Sequence, residues 1–188
     1  ALYSNTTASY NTAVGYQAMY DNTTGQFNVG IGQMALANNT TADSNTAMGY
    51  QAGNLNTTGA NNTVIGFQSF EDNTTGAFNV AMGAKALASN TTASNNTAVG
   101  YQAAYSNTTG TGNVALGHTA LQSNTTASYN TVVGYAAAYS NTTGESNTVL
   151  GQGAMYVNTT GGDSVAVGRS ALFNNTTGQY NTALGRSA

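Results

Sequence analysis

Side chains that ionise, ligate or attack are scarce in this sequence. His118 is the single histidine, cysteine is absent, and the charged residues are three Lys or Arg and six Asp or Glu. One imidazole with no thiol and no second histidine completes neither a nucleophilic triad nor a His-rich metal site. The acids Asp21, Asp43, Glu71, Asp72, Glu145 and Asp163 are scattered. Glu71 and Asp72 are adjacent, which on a strand would turn them to opposite sides rather than pair them for acid–base work. The Gly-Tyr-Gln-Ala segments lack the lysine and the following helix of a phosphate loop. Calcium-binding repeats need recurring Asp, and the recurring residue here is Asn. No enzyme and no cofactor is expected. A formal charge of -3 with three basic residues argues against nucleic acid as a partner. No apolar run reaches the ~18 residues of a membrane span, so no membrane insertion is expected.

Chemistry that recurs is a different matter. Asn-Thr-Thr is an N-glycosylation sequon and occurs 11 times, at Asn5, Asn22, Asn39, Asn56, Asn73, Asn90, Asn107, Asn124, Asn141, Asn158 and Asn175. One reading is a column of glycans along an edge. The other is a turn whose Asn and Thr side chains bond to their own copies and happen to spell a sequon. Turn chemistry favours the second.

What must position these residues is a repeat of 17 residues that never slips. Units open at Asn11, Asn28, Asn45, Asn62, Asn79, Asn96, Asn113, Asn130, Asn147, Ser164 and Asn181. A partial unit fills residues 1–10, ten whole units fill 11–180, and a last partial unit fills 181–188, all read as one array. With no initiator Met at its start, the chain is expected to be a segment of a longer fibre. Counting from the opening Asn, position 5 is Gly in every unit, positions 12–14 are Asn-Thr-Thr, and position 8 is Ala except at Ser69.

The elements follow from that pattern. β-branched residues and Gly replace helix formers. Positions 2 and 4, such as Thr12 and Val14, share one strand face while position 3, Ala13, looks the other way. Position 4 is always Val, Ile, Met or Leu and position 9 is mostly Leu, Met or Phe, so these two are expected to fill the core. A second strand is expected over roughly positions 7–11, with corners at Gly of position 5 and at Asn-Thr-Thr. The reading is all-β: a parallel β-solenoid, or β-roll, of 17-residue coils.

Stacking explains the composition. Equivalent residues lie ~4.8 Å apart up the column, and like charges at that spacing repel. Charged residues are accordingly 5% of the chain, and only Arg169 and Arg186 occupy one position on adjacent coils. Aromatic residues form columns of their own. Position 6 carries Tyr16, Tyr50, Phe67, Tyr101 and Tyr135; position 10 carries Tyr20, Tyr105, Tyr139, Tyr156 and Phe173. Such stripes mark interfaces between chains, or a platform on which a receptor sugar stacks.

The segment from Ser164 to Leu172, Ser-Val-Ala-Val-Gly-Arg-Ser-Ala-Leu, resembles the head repeat of YadA-like trimeric autotransporter adhesins. Asn-Thr-Ala-Val-Gly-Tyr-Gln-Ala, at Asn11–Ala18 and Asn96–Ala103, is similar to repeats of phage tail-fibre proteins. The likeness runs along the whole chain. It implies a left-handed β-roll, three chains side by side, and a shaft or adhesive role at a virion or cell surface. The constant Asn-Thr-Thr and the even spacing depart from the shorter, more variable adhesin repeats. The expected function is an extracellular structural or adhesive fibre segment, homo-oligomeric (a trimer or an end-to-end filament) and able to touch surface carbohydrate or a receptor. The alternative is an N-glycosylated fibril or an ice-binding solenoid.

Overall fold

A computed structural model describes all residues 1–188. Eleven strands of three residues each, from β1 (Thr12–Val14) and β2 (Val29–Ile31) to β11 (Thr182–Leu184), form one parallel sheet in strict chain order. Each strand occupies positions 2–4 of its unit and pairs with the next at an offset of one unit, as Thr12 with Val29 and Val14 with Ile31. One 17-residue unit is therefore one coil of a β-solenoid.

The second strand is absent. Positions 6–11 run as consecutive turns in every complete coil. The cause lies in the backbone: position 9 is left-handed at φ 51° in Met19, 50° in Leu36 and 49° in Leu87, and Gln17 at position 7 has φ 54°. Strand conformation requires negative φ. Backbone hydrogen bonds between coils persist regardless, with Met19 N donating to the Ala35 carbonyl at 2.9 Å and Asp21 N to Ala37 at 2.8 Å. Position 9 accepts Leu, Met, Phe, Ala and Gly but never Val, Ile or Thr. Branching at Cβ is the feature least compatible with a left-handed residue.

The strand alternates as expected, with its phase reversed. Position 3 points inward: Ala98 and Val132 are fully buried. Position 4 points outward, leaving Val14 58% and Leu150 48% exposed. The expectation that position 4 fills the core is thus corrected, while position 9 keeps its place inside through Met19, Leu36, Phe70, Leu87, Leu121 and Met155. A 17-residue perimeter encloses little space, so the inner column takes Ala, Gly or Val and the larger apolar residue is left outside. Size is balanced between neighbouring columns. At Gly30 of position 3 the missing Cβ would lie 2.8 Å from Met19 Cγ, so the methionine occupies the gap.

Two asparagine columns hold the corners. At position 12, Asn39 Nδ2 donates to Asn22 Oδ1 at 2.8 Å and Asn73 Nδ2 to Asn56 Oδ1 at 2.7 Å. At position 1, Asn28 Oδ1 accepts the backbone N–H of Asn45 at 2.8 Å, and Asn28 Nδ2 donates to the Ala42 carbonyl at 2.8 Å. That carbonyl also accepts from Asn39 Nδ2, so both columns converge on position 15. Where Ser164 replaces Asn, its Oγ accepts the N–H of Asn181 at 3.1 Å and continues the ladder. Buried polar groups are tolerated when each finds a partner. Gln122 Oε1 is the one buried side-chain oxygen without one.

Candidate functional site

The sequon asparagines sit inside this framework. From Asn22 to Asn158 all nine are buried, and only Asn5 and Asn175 are partly open. Each of the nine donates its amide nitrogen to the preceding column member, to the position-15 carbonyl, or to both, as Asn107 does to Asn90 Oδ1 and to Gly110 O at 3.0 Å each. A glycan would occupy that same nitrogen. At these nine positions that nitrogen is buried and engaged in the ladder.

The threonines that follow divide their tasks. Position 13 caps the next coil, as Thr23 Oγ1 donates to the Thr40 carbonyl at 3.0 Å and Thr142 Oγ1 to Thr159 at 2.9 Å. Position 14, from Thr7 to Thr177, is exposed in every unit.

Outside the coil, the aromatic residues do form columns. At position 6, Tyr50 stacks on Phe67 with centroids 5.3 Å apart, and His118 lies between Tyr101 and Tyr135 at 5.0 and 5.2 Å. At position 10, Tyr3 stacks on Tyr20 at 4.9 Å, and Tyr139, Tyr156 and Phe173 form a continuous stack at 5.1 and 5.3 Å. Tyr16 is exposed and Tyr105 half-buried, and neither joins a stack. Toward the last coils the two columns face each other across a groove. In the last coils Tyr135 on one side and Tyr156 and Phe173 on the other line a space of about 250 Å³ with Gln152, Gly153 and Arg169. The turns of positions 7–9 bring these columns together, and their left-handed residues are what sequence reading did not foresee.

A third aromatic column was also missed. Tyr10, Phe27, Phe78, Tyr129 and Tyr180 at position 17 are all exposed, and Tyr10 stacks on Phe27 at 5.1 Å. Its signal was in the period, spread over coils that carry Ser, Asn, Gly or Asp instead. The larger omission is the outer face of the sheet. Position 4 presents an unbroken column of eleven apolar side chains from Val14 to Leu184, each exposed or partly exposed, beside the Thr and Val of position 2. The clue was size, because position 3 never exceeds Val.

No three His, Asp or Glu side chains come together as metal ligands would. Partial burial, with Asp72 beside it, holds the Glu71 carboxyl above its ordinary value, an effect reduced by the 3.1 Å hydrogen bond from Gln68 Nε2 and by Lys85. No helix is long and apolar enough to cross a membrane. Comparison with protein-family models, with curated protein sequences and with solved structures finds no match to this chain.

Proposed function

We propose that this chain is a rod-forming segment of an extracellular structural or adhesive fibre, at a virion or cell surface, whose copies associate side by side. The observation that carries the reading is the outward column of position 4. Ten coil steps of ~4.8 Å give an apolar stripe roughly 50 Å long, uninterrupted by any charged residue at positions 2 or 4. Stripes of this extent mark interaction surfaces, since water-exposed apolar area of that size is unfavourable. Association therefore falls to the sheet face, and the aromatic columns are left free to contact a surface ligand such as carbohydrate. Three chains and a left-handed winding are part of the proposal, on the strength of the adhesin-like repeat.

The test is to change Met48, Met82, Leu116 and Leu150 to Ser, and separately Tyr101, Tyr105, Tyr135 and Tyr139 to Ser. Mass by light scattering should fall to one chain only in the first variant, with the β-signal in circular dichroism kept in both. Loss of assembly only in the tyrosine variant would move the interface to the groove.

One observation favours a second reading. Thr of position 2 and the methyl-bearing side chains of position 4 recur in register on a single parallel sheet, a regular Thr-and-methyl array of the kind an ice-binding solenoid would present. Faceted ice crystals or thermal hysteresis in dilute solution would select it.

A further inference from the structure

We infer that the groove between the position-6 and position-10 columns binds an anionic saccharide at its C-terminal end, through Arg169 and Arg186. The inference rests on the adhesive part of the proposed function and names the ligand class.

Charge is the first argument. The chain has three basic side chains, Lys85, Arg169 and Arg186, and two of them occupy position 6 of successive coils. Everywhere else the array avoids two like charges at one position of adjacent coils, as the ~4.8 Å step requires. Here the repulsion is retained and nothing on the same face relieves it. Positions 1–12 of the coils from Asn130 onward contain no Asp or Glu; Glu145 and Asp163 stand at positions 16 and 17, at the other end of the strand. Both guanidiniums are exposed. Two exposed, unneutralised guanidiniums on successive coils suit carboxylate or sulfate oxygens.

Shape is the second, independent argument. The floor of the groove is position 7, which is Gln17, Met34, Gln51, Gln68, Lys85 and Gln102 in the first six units. It then shortens to Thr119, Ala136, Gly153, Ser170 and Ser187. The groove deepens where the cations stand, and the 250 Å³ space containing Arg169 lies there. Its far wall is the Tyr156–Phe173 stack, nearly parallel at 4°. Flat, aligned rings offer the C–H faces of a sugar an apolar surface, and the tyrosine hydroxyls and Gln152 offer hydrogen bonds. A hollow in the first coils, lined by positions 7, 10 and 11 and by no position-6 residue, carries Asp21 and no cation. Because the Tyr139–Tyr156–Phe173 wall runs over three coils, the site suits a chain of sugars better than a single one.

The experiment measures retention of the intact chain on polygalacturonate (carboxylate), dextran sulfate (sulfate) and unmodified dextran (neutral). The anionic polymers should bind and dextran should not. The pair R169Q and R186Q should weaken binding at least tenfold, while Y129S, an exposed change at position 17 outside the groove, should leave it unchanged. Rising salt should weaken binding of the native chain, as for any exposed ion pair. Retention by one anionic polymer alone identifies the anion as carboxylate or sulfate. Equal binding by the arginine variant, equal loss in Y129S, or no binding to either anionic polymer overturns the inference. Dextran bound as tightly as its sulfate overturns the charge assignment while leaving a sugar-binding fibre intact. Rod width in electron micrographs reports on the fibre reading separately, whatever the polymers do.

Discussion

At the scale of single residues, the array is governed by what one atom more would meet in the next coil. Gly100 has φ 134°, and a Cβ there would collide with the carbonyl oxygen of Gly117. Gly185 has a similar φ of 123° with nothing within 4 Å. Replacing each by Ala in the 188-residue chain therefore separates clash from backbone strain. Gly185→Ala should lose only the strain, on the order of 1–3 kcal/mol. Gly100→Ala should lose visibly more, as read from thermal melts. Equal losses would mean that the stacked carbonyl yields freely. Glu71 gives a second prediction. Its carboxyl is held above the ordinary value by partial burial and by Asp72, so the folded chain holds that proton more tightly than the unfolded chain. The contribution is favourable below the usual glutamate range and is lost as pH rises through the interval up to the raised value. Denaturant melts should show stability falling across that interval, and Glu71→Gln should flatten the fall. A variant with an unchanged pH profile would show that the pair is too well hydrated to matter.

At the scale of elements, the unit of folding is the coil, and its stability comes from its neighbours. Each strand has three residues, too few to stand alone. Removing one whole coil, Asn96–Gly112, joins the carbonyl and N–H ladders of Asn79–Asn95 to those of Asn113–Tyr129 in register. The shortened chain should keep its β-signal and melt cooperatively. Removing eight residues instead should break the Asn ladders and the parallel register together. Similar behaviour of the two deletions would refute the coil. How much of this was legible follows from particular residues. The period, the strand at Thr12–Val14, the corner at Gly15 and the self-bonding of Asn and Thr could be read because each follows from a local rule. The phase of the strand could not. Val14 and Ala13 are both apolar, and deciding which faces inward needs the width of the interior, which only the closed coil defines. The turn at Gln17–Met19 escaped for a related reason: a short apolar run such as Ala18-Met19-Tyr20 suits either element. The absence of branched residues at position 9 was the sole sign of its left-handed backbone. The groove lay beyond reach because it depends on that turn.

At the scale of the molecule, the scarcity of charge separates two kinds of contact the rod can make. The outer sheet face has no charged residue at positions 2 or 4 over eleven strands. Association through it would draw on the release of water from apolar side chains, which weakens on cooling and is strengthened by salts excluded from protein surfaces. The groove has the opposite character, since its cations are concentrated at Arg169 and Arg186 and are screened within ~10 Å at 0.1 M salt. The two contacts should therefore respond in opposite ways. With rising sodium sulfate at fixed temperature, the mass of assembled rods in light scattering should hold or increase, while retention on an anionic polymer falls. Cooling from room temperature toward 0 °C in low salt should shift assembled rods toward single chains. Dissociation by salt at constant temperature would place charged groups in the chain-to-chain interface, and the sheet face would then be the wrong surface.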